Sequence, residues 1–530
     1  MSSTCNSTMS EAVRRSYQEG QEDETLEPFV LSDLSGIPLG RFKSGDAVIF
    51  YNIRGEREIE LTQSLTAPDF NKFPTMRELS LHFATMIEYR KGLNVRVAFP
   101  PDGLVEDTLS EIIARHGLRQ VKITEAEKAV HVGFFLNGKK SALWPKEERL
   151  VIPTRKDVAL FDEAPEMSIE QITQAIIEKI HDPSYQFIFA NFPNVDVVGH
   201  IENEQAVIKA VEAVDACTGM AVREALRSGI VTIVSADHGT VEKWLYRNGA
   251  IDTGHTDSPV PFILIHKNKK FTLRKDGDLT DVAPTVLELM GLSKSPRMTG
   301  RSLLKKNAGD NCRPSERLLF LLLDGWGINP HTYGNLIAKA HTPTMDWLMK
   351  AYPHATLQAA GEAVGLPAGT VGNSEAGHLH IGAGRKIYAD RVKIDRAIAD
   401  GSFFANEAFA AVMEAAQNTA SALHLLGVVS FFSSHGSLNH LFALMDLAKQ
   451  KGISNLFIHA MLGRRGEMPE SGASYIKRIE EKIAEIQLGK VVSVIGRHWS
   501  MDREGNWDRI EKTYRMLVYG EGTLIRQGRR

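Results

Sequence analysis

Gly372-Asn373-Ser374-Glu375-Ala376-Gly377-His378 sets a serine among small and polar neighbours, where the pattern from Glu375 to Leu379 can open a helix. A hydroxyl at that point faces free backbone N–H groups and the positive end of a helix dipole, which suits an oxygen that carries a phosphoryl group. A serine there also serves as an ordinary helix cap. Aspartates and histidines elsewhere sit at the ends of apolar runs. Asp324 follows Leu318–Leu323 and leads into Gly-Trp-Gly, and Asp237-His238-Gly239 follows Ile230–Ser235. Asp196 and His200 follow Phe187–Ala190, and His255 stands in Thr253-Gly254-His255-Thr256 before Val260. Asp196 and His200 are four apart, so one helical turn puts them on the same face. Each of these residues alone also reads as a cap or a satisfied polar group. Together, carboxylates and imidazoles suit a borderline divalent ion such as Mn²⁺ or Zn²⁺ better than an all-oxygen Ca²⁺ site. A serine next to such an ion loses its proton far more readily, and two ions can clamp the attacking and leaving oxygens of a phosphoryl transfer.

The elements that must position these residues alternate. From about residue 104 the chain reads helix Asp107–His116, strand Val130–Leu136 after Lys128, helix Met167–His181, strand Phe187–Ala190 and helix 203–227. Strands Ile230–Ser235 and Val260–His266, helix Leu279–Met290 and strand Leu318–Leu323 follow. Alternation of this kind predicts an α/β domain with a largely parallel sheet, whose ligands bind at the carboxyl ends of strands. After Ile387 the pattern restarts with helix 405–416, strand Ala422–Val429, helix Asn439–Gln450, strand Asn455–His459, helix 472–486 and strand Val491–Ile495. This second α/β block continues residues 20–102, where Asp46–Arg54 reads as a strand and polar turn, 75–92 as an amphipathic helix and Val95–Phe99 as a strand. The expected organisation is a tail at 1–9 without structure, then a helix capped by Ser10 and stopped by Gly20. One domain is built from both chain ends (10–103 and 389–530) around a continuous domain at 104–388. Arg54 and Arg57, three apart past a strand end, read either as solvated arginines or as a clamp for carboxylate or phosphate oxygens.

A chain of 530 residues has room for two large cores. Its 43% apolar and 24% charged residues are ordinary for a globular protein, and a net charge of -3 without a long basic run disfavours general nucleic-acid binding. Met1–Ser10 lacks the apolar core of a signal peptide, and no run of about 18 apolar residues predicts a membrane span. Cys5, Cys217 and Cys312 offer neither a disulfide framework nor a zinc pattern, so a reducing cytoplasm is the expected compartment.

The stretches LLLDGWG, GEAVGLPAGTVGNSEAGHLHIGAGR, NVDVVGH, SADHG and TGHTDSPVP resemble those of the cofactor-independent phosphoglycerate mutases of the alkaline phosphatase superfamily. DVAPTVLELMG, MTGRSL and GRHWSMDREGNWDRIEKTY extend the resemblance over about residues 10 to 525. It implies an alkaline-phosphatase-like metal domain with two divalent ions, with Mn²⁺ as the expected metal. One ion would be held by Asp196, His200 and His255, the other by Asp324, Asp237, His238 and Ser374. It implies a phosphoserine intermediate at Ser374, no 2,3-bisphosphoglycerate, a small phosphorylated carboxylate as substrate, a place in glycolysis, and a monomer without nucleic-acid or membrane partners. Substrate contacts would fall to His435, Arg465, Arg497, Arg503, Arg54, Arg57 and Lys128, with His435 exchanging a proton at the phosphoryl or leaving oxygen.

Order and pocket depart from that family. Its DGWG strand and GNSE serine lie near the N-terminus and its ADHG near the C-terminus. Here the halves are exchanged, with Lys305–Glu316 as the joint, so the chain reads as circularly permuted. Where the family has DGGVHSH, this chain has Phe431-Phe432-Ser433-Ser434-His435-Gly436-Ser437. Where it has LDGRD, Leu462-Gly463-Arg464-Arg465-Gly466 stands here, with Glu467 one residue beyond the lost aspartate. The leading expectation is a mutase interconverting 3- and 2-phosphoglycerate. The alternatives are a mutase, phosphatase or phosphotransferase for another phospho- or phosphono-carboxylate, and a non-catalytic homologue that keeps the fold.

Overall fold

The computed structural model describes residues 8–267, 271–305, 315–431, 433–463 and 470–526. They form two compact units. One is continuous, Asp102–Val392, and the other is made of the chain up to Pro101 together with the chain from Lys393 onward. Each is an α/β unit on its own eight-stranded sheet.

The continuous unit owes its sheet to apolar runs buried on both faces. Its strands lie in the order Asp276–Asp278, His354–Gln358, Val260–Ile265, Val231–Ser235, Leu318–Leu323, Phe187–Phe192, Gln120–Glu125 and Glu147–Ile152. Leu318–Leu323 is parallel to both its neighbours, and its six side chains are all buried. A strand covered on both faces reads as a continuous Leu/Ile/Val run rather than an alternation. Val260–Ile265 pairs antiparallel to Val231–Ser235 and to His354–Gln358. The three central parallel strands end side by side, which puts Asp196, Asp324 and the Asp237-His238 pair at one edge of the sheet.

The split unit joins the two ends of the chain within one sheet. Its order is Thr523–Arg526, Phe29–Ser32, Lys490–Gly496, Leu456–Leu462, Leu423–Val428, Ala47–Phe50, His82–Ile87 and Arg96–Phe99. Leu423–Val428 pairs in parallel with Ala47–Phe50, so residues nearly four hundred apart in sequence are hydrogen-bonded neighbours. Among the described residues, only Phe29–Ser32 breaks the parallel run, by pairing antiparallel to Lys490–Gly496.

Several local expectations are corrected. The stretch 75–92 holds the strand His82–Ile87, not a helix: Phe83, Ala84, Thr85, Met86 and Ile87 are buried in succession between two parallel strands, which a helix with one apolar face cannot provide. Val130–Leu136 is not a strand. His131–Phe135 is one π-helical turn packed on the helix Ser374–Ala383, with Val130 left exposed. Met9, expected in a tail without structure, begins the helix Met9–Gln18, and Thr8 rather than Ser10 caps it through a capping box with Glu11. The expected joint at 305–316 lies mostly outside the described residues.

Candidate metal centre

Asn373 does the capping that Ser374 was open to do. Its side-chain oxygen accepts from the Ala376 N–H, and Ser374 is the first residue of the helix Ser374–Ala383. The hydroxyl is thereby released from the helix end. His238 Nε2 lies 2.9 Å from Ser374 Oγ, Lys128 Nζ lies 2.6 Å from it, and Asp324 Oδ1 lies 3.2 Å away. Lys128 also donates to Asp196 Oδ2 at 2.6 Å and Asp324 Oδ1 at 2.9 Å. Asp196, Asp237, His238, Asp324, Ser374 and Lys128 are all buried.

The histidine tautomers follow from their backbone partners, because a carbonyl oxygen can only accept. His200 Nδ1 lies 2.6 Å from the Thr253 carbonyl and His255 Nδ1 3.0 Å from the Gly372 carbonyl. Both protons are therefore on Nδ1, and the Nε2 lone pairs converge: they are 3.1 Å apart, and 3.4 and 3.0 Å from Asp196 Oδ1. Two imidazole lone pairs and a carboxylate oxygen pointed at one another repel unless a cation joins them. His238 Nδ1 is likewise set on the Gly239 carbonyl at 3.1 Å, with Nε2 toward Ser374. Anchoring of the non-ligating nitrogen is the usual way a metal-binding histidine is oriented.

A second set surrounds His238. The ligand atoms of Asp237, His238 and Asp324 lie close enough to hold one ion, as do those of Asp196, His238 and His255. His378 Nδ1 is 3.1 Å from Asp237 Oδ2 but gives its proton to the Ser374 carbonyl at 2.9 Å. Asp237 Oδ2 is left buried with no hydrogen-bond donor among the described residues. An orphaned carboxylate oxygen, paired lone pairs and N/O donors together fit divalent metals. Two glycines make room: a Cβ on Gly377 would stand 2.7 Å from Asp237 Cβ, and one on Gly325, at φ +84°, would stand 2.8 Å from the Asp196 nitrogen.

The electrostatics agree. Burial alone would lower the Lys128 ammonium, but Asp324, Asp196 and Asp237 outweigh it and hold it above its ordinary value. Burial opposes charge on His238 too, yet the same three carboxylates push it up to about 10. Asp324 is held well below the carboxylate range despite its burial, with Lys128 and His238 as the cause. The pocket is a place where negative charge gathers and cations are favoured.

Sequence reasoning missed the supports. Asn191 donates to Asp324 Oδ2 at 2.8 Å, and Glu242 accepts from the Thr240 N–H at 3.0 Å and from the Thr256 hydroxyl, pinning the loops beside His238 and His255. Asn191 ends an apolar run and Glu242 lies four residues past His238, but nothing in their spacing says what they touch. Lys128, expected as a substrate contact, lies among the metal-centre carboxylates.

The remaining expected residues that are described lie in the split unit, past the carboxyl ends of parallel strands. Arg54 and Arg503 both pair with Glu56, at 3.3 and 3.1 Å, and are half-exposed. Arg57 donates to the Met501 carbonyl at 3.2 Å, and Arg497 pairs with Glu24 at 3.0 Å. His435 is buried and bonded to Glu58. Arg465, Phe432, Gly466 and Glu467 lie outside the described residues.

Carboxylates and imidazoles gathered at strand ends make a candidate metal centre, and the comparisons point the same way. Residues 31–294 match the model of the Metalloenzyme superfamily, and residues 394–528 match that of the BPG-independent PGAM N-terminus. Residues 31–294 are thus similar to the metalloenzyme superfamily, and residues 394–528 to the N-terminal module of the bisphosphoglycerate-independent phosphoglycerate mutases. Curated relatives include proteins named 2,3-bisphosphoglycerate-independent phosphoglycerate mutase. That of Nostoc punctiforme is 40% identical over 308 residues, 57% of this chain and 56% of the relative. That of Thermomicrobium roseum is 42% identical over 302 residues, 56% and 57% respectively. The chain thus spans about half the length of the curated relatives it matches. A solved Leishmania mexicana phosphoglycerate mutase, studied at low cobalt concentration, is 30% identical over 52% of this chain and 53% of its own, with a TM-score of 0.37. So low a score says nothing further of the fold.

Proposed function

We propose that this chain is a phosphoglycerate mutase that interconverts 3-phosphoglycerate and 2-phosphoglycerate through a phosphoserine at Ser374. The observation that carries the reading is the Ser374 hydroxyl. It stands free of its helix cap, within hydrogen-bond reach of His238 and Lys128 and beside Asp324. The names of the relatives supply the substrate.

Asp196, His200 and His255 would hold one divalent metal and Asp324, Asp237, His238 and Ser374 the other, with Mn²⁺ as the ion. Bound there, the metals supply Lewis-acid charge that eases loss of the serine proton and offsets negative charge on the phosphoryl oxygens. In the reading proposed, Ser374 Oγ attacks phosphorus, the bond to the substrate's 3-oxygen breaks, and that oxygen takes up a proton. The phosphoryl group then returns to the 2-oxygen, which gives up its proton, so the reaction balances as an isomerisation. Lys128 stabilises charge on the Ser374 oxygen. His435 exchanges the proton with the substrate oxygen. Arg54, Arg57, Arg497, Arg503 and Arg465 hold phosphate and carboxylate. No bisphosphoglycerate is needed, and the protein acts as a cytoplasmic monomer.

We also infer a permuted order. A module described as the mutases' N-terminus lies at 394–528, after the metalloenzyme match at 31–294, and the split unit draws its sheet from both chain ends.

One observation favours a second reading. Phe431, where the mutases carry an aspartate, packs against Tyr475 with ring centroids 5.8 Å apart. An apolar side chain near the acceptor histidine suits another phospho- or phosphono-carboxylate. An assay with 3-phosphoglycerate and Mn²⁺ that follows 2-phosphoglycerate and free phosphate together separates these. Formation of 2-phosphoglycerate supports the mutase, and free phosphate alone supports a phosphatase. Neither product from metal-loaded protein rejects phosphoglycerate as the substrate.

A further inference from the structure

The proton-exchanging histidine of the split unit has a carboxylate partner that its sequence neighbourhood lacks. His435 Nδ1 lies 3.0 Å from Glu58 Oε1, across 377 residues of chain. Asn52 Nδ2 donates to the same oxygen at 2.8 Å, and the Arg57 backbone N–H donates to Oε2 at 3.1 Å. Glu58 and Asn52 are fully buried, and His435 is 6% exposed. Asn52 is fixed in turn, because its side-chain oxygen accepts from the Val428 N–H at 2.8 Å. The His435 backbone is tied by its carbonyl to the Ile53 N–H at 2.8 Å and by its own N–H to Ser433 Oγ at 3.1 Å. Two adjacent parallel strands, Ala47–Phe50 and Leu423–Val428, thus deliver a glutamate and a histidine to one place in one hydrogen-bonded frame.

We propose that Glu58 is the positioning residue of His435. Its Oε1 accepts the Nδ1 proton, which fixes the ring's tautomer and orientation. It leaves Nε2, on the far edge of the imidazole, as the atom that accepts or gives the proton. Glu58 also steadies the imidazolium that forms when Nε2 takes a proton, as a buried carboxylate does for the histidine of a serine-protease triad. This rests on the proposed role of His435 in proton exchange. Glu58 reaches no reacting atom in this account and acts only through His435.

The test uses the full chain loaded with Mn²⁺. Steady-state kinetics with 3-phosphoglycerate are compared for Glu58→Gln, Glu58→Asp, His435→Asn and the Glu58→Gln/His435→Asn double variant. The expected result is a kcat roughly 10–100-fold lower for Glu58→Gln at a KM within about twofold. Glu58→Asp recovers part of the loss, and the double variant is no worse than His435→Asn alone. Additive losses in the double variant, or an unchanged kcat in Glu58→Gln, overturn the proposal. A second readout does not depend on turnover. ¹⁵N spectra of histidine-labelled protein, with the His435 signals identified by their loss in His435→Asn, should show the Nδ1–H tautomer in the parent. A parent in the Nε2–H tautomer overturns the assignment. Absence of turnover with 3-phosphoglycerate rejects the substrate reading alone, and the spectra then decide the role of Glu58.

Discussion

His238 Nε2 stands 2.9 Å from Ser374 Oγ, while the Gly239 carbonyl holds the other ring nitrogen at 3.1 Å. The imidazole therefore turns one particular edge toward the hydroxyl, and the two residues, one past a strand end and one at the start of a helix, form the centre of the candidate site. Replacing Ser374 by alanine should abolish phosphoenzyme and turnover with metal binding largely kept, since the carboxylates and histidines remain. Phosphate incorporation from labelled substrate checks this, and full activity in Ser374→Ala would refute the nucleophile.

Asn373, not Ser374, caps its helix, and that distinction is measurable. Asn373→Ala should cost about 1 kcal/mol in urea unfolding, as loss of a cap does. Ser374→Ala should leave the unfolding midpoint nearly unchanged. The reverse order of effects would return Ser374 to a capping role.

Metal removal should silence the protein and loosen the continuous unit. Chelation is expected to abolish turnover and lower the melting temperature, and Mn²⁺ at about 100 times its Kd should restore about 2.7 kcal/mol. Asp237→Asn, which replaces the orphaned oxygen with an amide, should weaken Mn²⁺ binding measured by calorimetry at least tenfold. Unchanged affinity would place the ion elsewhere.

Acid should destabilise the chain through His380. This buried ring accepts the Ile387 N–H at Nε2 and bonds the Ala376 carbonyl at Nδ1, so neither nitrogen can take a further proton without breaking a bond. Burial pushes it down to about 4 from 6.5. Its contribution is present above about 6.5, where folded and unfolded states are both neutral, and is lost as pH falls toward 4, where the unfolded chain binds the proton first. Between pH 7 and 5 the loss is about 2 kcal/mol, and His380→Gln should remove that part of the pH dependence of urea unfolding. An identical pH dependence in the variant would contradict the assignment.

The carboxylates and histidines of the candidate site were legible in the sequence because most of them follow strand ends. Leu318–Leu323 running into Asp324, and Val231–Ser235 running into Asp237-His238, are unbroken apolar runs of a kind that few other elements produce. His82–Ile87 misled because its flanks carry charges at helical spacing, and only its pairing with Ala47–Phe50 makes it a strand. Val130–Leu136 has the composition of a strand, but it packs on the helix that bears Ser374 and closes as a π-helical turn. Glu58 gave no signal at all. It reads as one more charge beside Arg57, and the contact with His435 exists only because two distant segments became neighbouring strands.

The most direct measurement of the central claim is a single quenched reaction. Mn²⁺-loaded protein is mixed with 3-phosphoglycerate carrying labelled phosphate, stopped within a turnover, digested and analysed for the site of label while 2-phosphoglycerate is quantified. The account predicts label on the peptide bearing Ser374 and its passage into 2-phosphoglycerate. Formation of 2-phosphoglycerate with no label on Ser374, or metal-bound protein that gives neither, would contradict it.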